Sequence, residues 1–380
     1  MCMSRRGFEW KDSIGSRKCR GCFRGRIMTK TFFFTMAYNA EQTVARTIRS
    51  IQNQTCSDWE YYILDNGSTD HTGDIILQYA KVDPQIHPVF VRKNDPGNGG
   101  AIFSVLVLAS SADYLVWCDA DDTYSPDFLE KMTRFAQEHH LDIAACGYDS
   151  MEGTTNRLLK RRTPPEDLII HGDGFINKFI QYRGFMGALW GKLYSTSFLR
   201  SITNAAGSKQ DFLYLGESMW LLTLFADAKR VGIFHESMYQ WYQYSNSLSR
   251  SNLGNNIKSY PQYWATLKWY LEQYGPISRI NEDFLYAIFM SLAEEGTTFI
   301  FQADLSAMEK LRLLLELFQQ PLWAETLAQD ADPQFRNLAA RGEFVRQMTE
   351  RVMALAASQE ERSLAEAVVR EIDKLPKKLQ

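Results

Sequence analysis

The chain has 380 residues, of which 45% are hydrophobic and 23% charged, with a formal net charge of −3. That length allows two domains at roughly 150 residues each, and the balance excludes a mainly disordered chain, a collagen-like repeat and a disulfide-stapled miniprotein. The charge is uneven: residues 1–30 hold nine Lys or Arg against Glu9 and Asp12, a local +7 that leaves −10 for the rest. A net-acidic body argues against nucleic acid as a partner, because phosphate binding needs a basic footprint. Residues 1–29 read as a disordered basic leader, or as an over-extended start with Met28 as the true one. Cys19 and Cys22 in that leader lack a second Cys/His pair at zinc-finger spacing, and all six cysteines are expected as reduced thiols. No window reaches the roughly 20 apolar residues of a spanning helix; residues 101–109 and 284–293 read as core helices.

From Thr31 onward strand and helix signals alternate. Residues 31–36 form a short apolar run suited to a buried strand. Asn39 with Gln42 three residues on predicts a capping box opening a helix, whose apolar face is Val44, Ile48 and Ile51. A second strand at 61–64 ends in the polar turn Asp65-Asn66-Gly67-Ser68-Thr69-Asp70, followed by a helix at 74–81 and a strand at 87–92. The Gly/Asn-rich stretch 94–100 reads as a loop before a helix at 101–110. The strand at 114–118 runs straight into Asp119-Ala120-Asp121-Asp122. Ser125-Pro126 then predicts a helix start with Phe128, Leu129, Met132 and Phe135 on the core face. A fifth strand follows at 141–146. This rhythm predicts an α/β domain over 30–250 with a mostly parallel central sheet and helices on both faces. Residues 251–380 carry helical patterning only, with a stripe of Met308, Leu311, Leu314, Leu315 and Phe318, and read as a helical accessory region.

The acids fall where such a sheet puts its ligand site, outside the carboxyl ends of the strands. Asp65 and Asp70 flank the turn after the second strand, and Asp119, Asp121 and Asp122 follow the fourth. Three carboxylates in four residues repel one another, which raises the pKa of at least one. A divalent cation relieves that repulsion, and Mg²⁺ or Mn²⁺ prefers such oxygen ligands together with substrate phosphates. Taken alone the acidic stretch also reads as a polar turn before a helix; paired with the Asp65–Asp70 loop it reads as a site for a diphosphate.

Several segments in order resemble family 2 glycosyltransferases of the GT-A fold. They are Tyr38-Asn39-Ala40-Glu41, Ile51-Gln52-Asn53-Gln54-Thr55, the Leu64–Asp70 stretch, the D-x-D element at 119–122, and Trp190-Gly191-Lys192-Leu193-Tyr194. Residues 228–231 through Tyr242 and Ser247 resemble the end of that catalytic domain, so the likeness covers about 30–250. The resemblance implies a Rossmann-like GT-A fold plus a C-terminal all-helical region. It implies a nucleotide-diphosphate sugar donor, with a UDP-sugar expected, and inversion at the anomeric carbon. The acceptor would be a glycan or a lipid-linked glycan of polysaccharide or cell-envelope synthesis. Ala37, Tyr38, Asp65 and Asn66 would hold base and ribose, Asp121 the ribose or metal, Asp122 the metal, and Lys192 the phosphates. Asp119 completes the metal set, Mn²⁺ or Mg²⁺, and Trp190 would line the acceptor pocket or stand as a plain core tryptophan.

Three positions depart from the family pattern. Gly216-Glu217-Ser218 stands where many members have Gly-Glu-Asp, whose Asp is the expected base. Glu217 is the nearest carboxylate; Asp211 or another acid, or weak transfer, are the alternatives. Phe103 and Ser104 stand where many members carry an Arg-Asn pair, and Asn66 replaces a commoner second Asp. His235 reads as structural or as a further metal ligand. The aromatics Tyr239, Trp241, Tyr242 and Tyr244 read as a sugar platform or a half-buried strand. A catalytically impaired relative that binds nucleotide sugar or glycan is the rival reading. A sugar nucleotidyltransferase or an NAD-type enzyme would need a Gly-rich first turn, which Met36-Ala37-Tyr38-Asn39 does not provide. With no export signal, a cytoplasmic enzyme is expected, with peripheral membrane contact through the basic leader or the terminal helices.

Overall fold

A computed structural model describes residues 30–203, 216–244, 253–322 and 338–374. The leader, Asp211 and Ser247 lie outside the described residues. The first half runs β1 (Thr31–Ala37), α1 (Val44–Gln52), β2 (Trp59–Asp65), α2 (Thr72–Val82), β3 (Ile86–Phe90), α3 (Pro96–Ala109), β4 (Tyr114–Trp117), β5 (Thr123–Tyr124), α4 (Phe128–Glu138) and β6 (Ile143–Glu152). It continues through β7 (Leu158–Arg162), β8 (Leu168–His171), α5 (Gly174–Asn177), α6 (Phe179–Tyr182), β9 (Lys192–Ser195), α7 (Thr196–Thr203), α8 (Gly216–Asp227) and β10 (Arg230–Gln243). Five longer helices follow: α9 (Leu253–Glu272), α10 (Arg279–Gln302), α11 (Ala307–Phe318), α12 (Leu338–Ala354) and α13 (Gln359–Lys374).

One sheet carries the strands in the order β3-β2-β1-β4-β9-β6-β10-β5, with β7 on β6 and β8 on β10. β3, β2, β1 and β4 are mutually parallel, as are β6 and β10. Between those two blocks β9 runs antiparallel to both neighbours, so the sheet is mixed, with its parallel strands in two blocks. β1 lies at the middle of the first block because both its faces are covered. Phe32 and Phe34 join one core layer and Phe33 the other, the alternation a strand imposes. Its parallel neighbours β2 and β4 therefore end on the same edge, which brings Asp65 and the 119–122 turn to either side of the chain leaving β1.

Three local expectations are corrected. Asn39 does not open a helix: its φ is 49°, its Oδ1 accepts from Thr69 N at 2.9 Å and its own N–H donates to Ser68 Oγ at 3.0 Å. Asparagine tolerates that left-handed conformation, and here it stitches the loop after β1 to the loop after β2. α1 starts only at Val44. The Gly/Asn-rich stretch does not stay a loop, since α3 begins at Pro96. α4 starts at Phe128 with Asp127 at its cap, two residues beyond Pro126, and buries the expected face.

The helical region shares one continuous core with the sheet, from Phe34 through Tyr182 to Tyr270, Leu285 and Ile372. Polar ties fix the docking: the Tyr182 and Tyr270 hydroxyls meet at 2.8 Å, and Asn281 Nδ2 donates to Ile176 O at 2.8 Å. Phe175 stacks on Tyr274 at 4.7 Å. α11 carries a full capping box between Ser306 and Glu309. Among the described residues α10 alone is long and apolar enough to cross a membrane by length and composition. It buries Leu285, Phe289, Ala293 and Ile300 together with the polar Asn281 and Asp283, the pattern of a core helix.

Gly232 on β10 gives a test of this packing. A Cβ there would meet the Leu141 methyl group and come within 2.7 Å of Phe135 Cε1. Gly232→Ala should lower stability by about 1–3 kcal/mol through overpacking, read as a lower denaturant midpoint at unchanged slope. An unshifted midpoint would contradict the contact of β10 with α4.

Candidate active site

The turn after β4 closes with the Asp122 N–H donating to Asp119 O at 3.2 Å, and this curl gathers the acids. One carboxylate oxygen each from Asp119, Asp121 and Asp122 lies within 4.8 Å of the others, the one such acidic group among the described residues. The turn's backbone is gripped from α1, where Thr47 Oγ1 donates to Asp122 O at 2.8 Å and Arg46 Nη2 to Asp121 O at 2.5 Å. Its side chains are gripped by β10. Asp122 is fully buried; its Oδ2 accepts from the Tyr239 hydroxyl at 2.6 Å and its Oδ1 from Tyr242 N–H at 2.7 Å. Trp117 Nε1 donates to Asp119 Oδ1 at 2.9 Å. Each carboxylate oxygen carries further lone pairs, so the three can still face a cation together.

Burial dominates their ionisation. It drives Asp119 up, helped by the Glu217 and Asp121 charges and opposed by the Trp117 bond, to about 8. Burial likewise lifts Asp122, with Asp121 and Asp119 adding repulsion, and lifts Asp121 against the Arg46 guanidinium. A desolvated acid group that keeps protons near neutrality has an unmet demand for positive charge. That, with an all-oxygen donor set, fits a hard divalent ion such as Mg²⁺ or Mn²⁺.

Glu217, in the first turn of α8, is the acid outside the turn whose charge acts on this group. Its Oε1 accepts from Leu189 N–H at 2.8 Å, and its charge is among those that raise Asp119. Burial raises Glu217 itself, while the Leu189 bond and Lys192 pull it down. Ser218 points elsewhere, its hydroxyl donating to Gly187 O at 2.7 Å. The 188–191 loop is drawn beside the end of β4 by the Trp117–Trp190 bridge and by Gly191, whose φ of 67° lies in the left-handed region that glycine enters without a Cβ penalty. Trp190 is half-buried and stacks on Tyr239 with centroids 4.5 Å apart and 7° between planes.

On the other side of β1, Asp65 is nearly buried and its Oδ1 accepts from Ser68 N–H at 3.0 Å. A Cβ on Gly73 would stand 2.7 Å from Asp65 Oδ2, so glycine in the first turn of α2 leaves room for that carboxylate. Tyr38 is 42% exposed beyond Ala37, which is fully buried and whose carbonyl accepts from Asn66 N–H. Burial works to raise Asp70, but bonds from Thr72 and Glu41 outweigh it and hold it below the usual range, as befits a brace.

Two expectations change here. Lys192 does not reach into the cleft: it is 3% exposed and donates to the carbonyls of Ala188 and Trp190, with burial lowering it to about 8. It holds the 188–190 loop from beneath. Asn66 is also buried, and its Nδ2 donates to Asn94 Oδ1 at 2.9 Å and Asp95 O at 3.0 Å, so it shapes the floor. His235 pairs with Asp167 at 2.7 Å and joins no acidic group. Phe103, standing where the expected arginine would be, packs with Phe34, Trp117 and Trp220. Sequence reasoning missed Arg46, which also lies 3.6 Å over Tyr242 and donates to the Tyr244 hydroxyl at 3.0 Å. Its signal was the only basic residue in the first turn of α1, otherwise indistinguishable from a surface charge.

The chain is similar to known proteins in sequence and in fold. Residues 33–212 match the family described as Glycosyl transferase family 2. A putative teichuronic acid biosynthesis glycosyltransferase, TuaG, of Bacillus subtilis (strain 168) is 34% identical over 135 residues, covering 35% of this chain and 52% of the relative. The match thus spans about half the length of that relative. The uncharacterized glycosyltransferase EpsJ of the same strain is 26% identical over 262 residues, 65% of this chain and 71% of the relative. In fold, the chain is similar to S. aureus TarS 1–349 crystallised in complex with UDP-GlcNAc. The TM-score is 0.50 at 18% identity, over 91% of this chain and 89% of that one. The architecture is GT-A, extended by C-terminal helices.

The raised acids set a pH dependence with a definite sign. A cation entering the group must displace the proton that Asp119 holds below about 8. Mn²⁺ should therefore bind more tightly at pH 8.5 than at 6.5, by up to about tenfold per pH unit for one proton released. Calorimetry in two buffers of different ionisation enthalpy reads that proton; pH-independent binding without proton release would exclude the trio as the ligand set.

Proposed function

We propose, on the premise that residues 33–212 are a glycosyl transferase family 2 domain, that the chain transfers a sugar from a nucleotide diphosphate to an acceptor hydroxyl with inversion at the anomeric carbon. The donor is a UDP-sugar, and the acceptor is a glycan or lipid-linked glycan of cell-envelope polysaccharide synthesis. The observation that carries this reading is a desolvated Asp119–Asp121–Asp122 group with one further buried acid, Glu217, near enough for its charge to act on Asp119. The similarity to a putative teichuronic acid biosynthesis glycosyltransferase supports the envelope setting.

In this reading Asp65 and the exposed Tyr38 hold the nucleoside at the ends of β1 and β2, with Asn66 shaping the floor. Asp119, Asp121 and Asp122 hold Mn²⁺ or Mg²⁺, which when bound supplies positive charge against the departing diphosphate. Trp190 offers its ring to the acceptor sugar, backed by Tyr239. Glu217 takes the proton of the acceptor hydroxyl as that oxygen bonds to the anomeric carbon and the bond to the diphosphate oxygen breaks. Burial moves this carboxyl up towards neutrality, where a general base works best. Turnover should therefore rise with pH through that raised pKa. An acid in this position favours transfer over a binding-only role. This reading takes the reaction to run in the cytoplasm, at or near the membrane face.

A thermal-shift series with UDP, GDP, dTDP and CDP, each with and without Mn²⁺, tests the donor. One nucleotide should stabilise the fold, and only with metal; no shift with any of them would remove the donor assignment. Glu217→Gln should lower kcat by about 10²–10⁴-fold while leaving the nucleotide shift intact, and unchanged turnover would discard Glu217 as the base.

A further inference from the structure

Arg46 is the side chain at which three parts of the chain meet, and it forms an ion pair with none of the acids beside it. Its Nη2 donates to Asp121 O in the acid turn and to the Tyr244 hydroxyl just beyond β10. The guanidinium lies 3.6 Å over the Tyr242 ring, and its Nε is buried with no acceptor. Among the described residues Arg46 bonds no carboxylate, although it stands close enough for its charge to act on Asp121. Tyr242 is itself tied to the group, its N–H donating to Asp122 Oδ1 at 2.7 Å. The Tyr244 ring fills the space that a Cβ on Gly153 would need. The guanidinium thus joins α1, the acid turn and the end of β10 across 75 and 198 residues of sequence.

A cation at this place can act on a metal site in two opposite ways. As a charge it repels a divalent ion, so its removal would tighten binding. As a clamp it holds the Asp121 peptide, and with it the direction of that carboxylate, against the end of β10. Its removal would then let the like-charged turn spread and weaken binding. The bonding favours the clamp. The donors are spent on a backbone carbonyl and a phenol rather than on a carboxylate, and the unmet buried Nε is a cost that a freely solvated charge would not carry. We propose that Arg46 is a positioning residue for the acid group: its planar side chain keeps Asp121 in place beside Asp119 and Asp122, and the affinity for Mn²⁺ depends on it. A lysine carries the same charge but cannot lie flat on Tyr242 while reaching two acceptors. This rests on the reading of the three aspartates as the metal set.

Mn²⁺ is titrated into the full chain without nucleotide, the free ion being read by its electron paramagnetic resonance signal. Arg46→Lys and Arg46→Gln should each weaken binding by about tenfold, a difference of about 1.4 kcal/mol. The spectrum of the bound ion, which reports the symmetry of its ligands, should broaden in both. Tyr244→Phe keeps the ring over Gly153 and deletes one acceptor. It should weaken binding by about two- to threefold, with the melting temperature of the metal-free protein unchanged. Parental affinity in Arg46→Lys would overturn the clamp in favour of charge alone, the more so if Arg46→Gln binds more tightly. No Mn²⁺ binding by the parent would overturn the inference altogether. Should both Arg46 variants fail to fold, parental affinity in Tyr244→Phe would overturn it as well. The transferase reading fails separately. Mn²⁺ binding weakened by Arg46→Lys, in a protein that no nucleotide stabilises, would sustain the clamp and remove the transferase. A metal-dependent nucleotide shift with unaltered Mn²⁺ affinity in the variants would do the reverse.

Discussion

Three carboxylates crowded into one turn and withdrawn from water would open that turn unless something held it, and the architecture around it is that holding. The carbonyls of Asp121 and Asp122 are engaged by Arg46 and Thr47 of α1, and the side chain of Asp122 by Tyr239 and Tyr242 of β10. β5 extends the turn into an antiparallel pairing with β10, Tyr124 against Tyr239. Because β10 also pairs in parallel along the length of β6, the acid group is anchored to the sheet rather than to a free loop. Repulsion among like charges is thus kept in place, available to be relieved by a cation.

The same anchoring explains how the second acid arrives. Lys192 opens β9, the strand inserted antiparallel between the two parallel blocks. Its ammonium, buried beneath Ala188 and Trp190, fixes the loop whose Leu189 N–H in turn holds Glu217. A chain segment far from the acid turn in sequence is brought beside it by a strand pairing and one desolvated cation. Lys192 therefore acts on Glu217 by lowering its pKa and on the loop by hydrogen bonding, and both effects depend on its staying out of water.

Much of this was legible in the sequence because it rests on local signals. The apolar run of β1, the polar turn after β2 and the acids after β4 identify themselves, and strand order in a parallel block brings their ends together. What was not legible is what depends on distant partners. Asn39 has the composition of a helix cap, yet the loop after β2 pulls it into a left-handed bridge. Lys192 and Asn66 look like ligand-binding residues from type and motif, but packing turns both inwards. Arg46 looks like a solvent-facing helix residue until Tyr242 is brought to it by β10 and Asp121 by the turn after β4. The choice of Glu217 over Ser218 followed from chemistry; in the structure Glu217 is held by Leu189 N–H and the Ser218 hydroxyl is spent on Gly187 O. The helical region could be recognised as helical, but not as sharing a core with the sheet, since that contact is made by tyrosines at large sequence separation.

Tyr239 belongs to both halves of the cleft: its hydroxyl is bonded to Asp122 and its ring lies flat against Trp190. One rigid side chain therefore joins the acid turn to the face that the proposed reading offers to the acceptor. Any displacement of the indole on loading from one side is felt at the carboxylate on the other. Occupancies that share such a wall are energetically linked, and by reciprocity the effect of each on the other is equal. The strength of any such coupling is then set by a single phenol ring packed between the carboxylate and the indole.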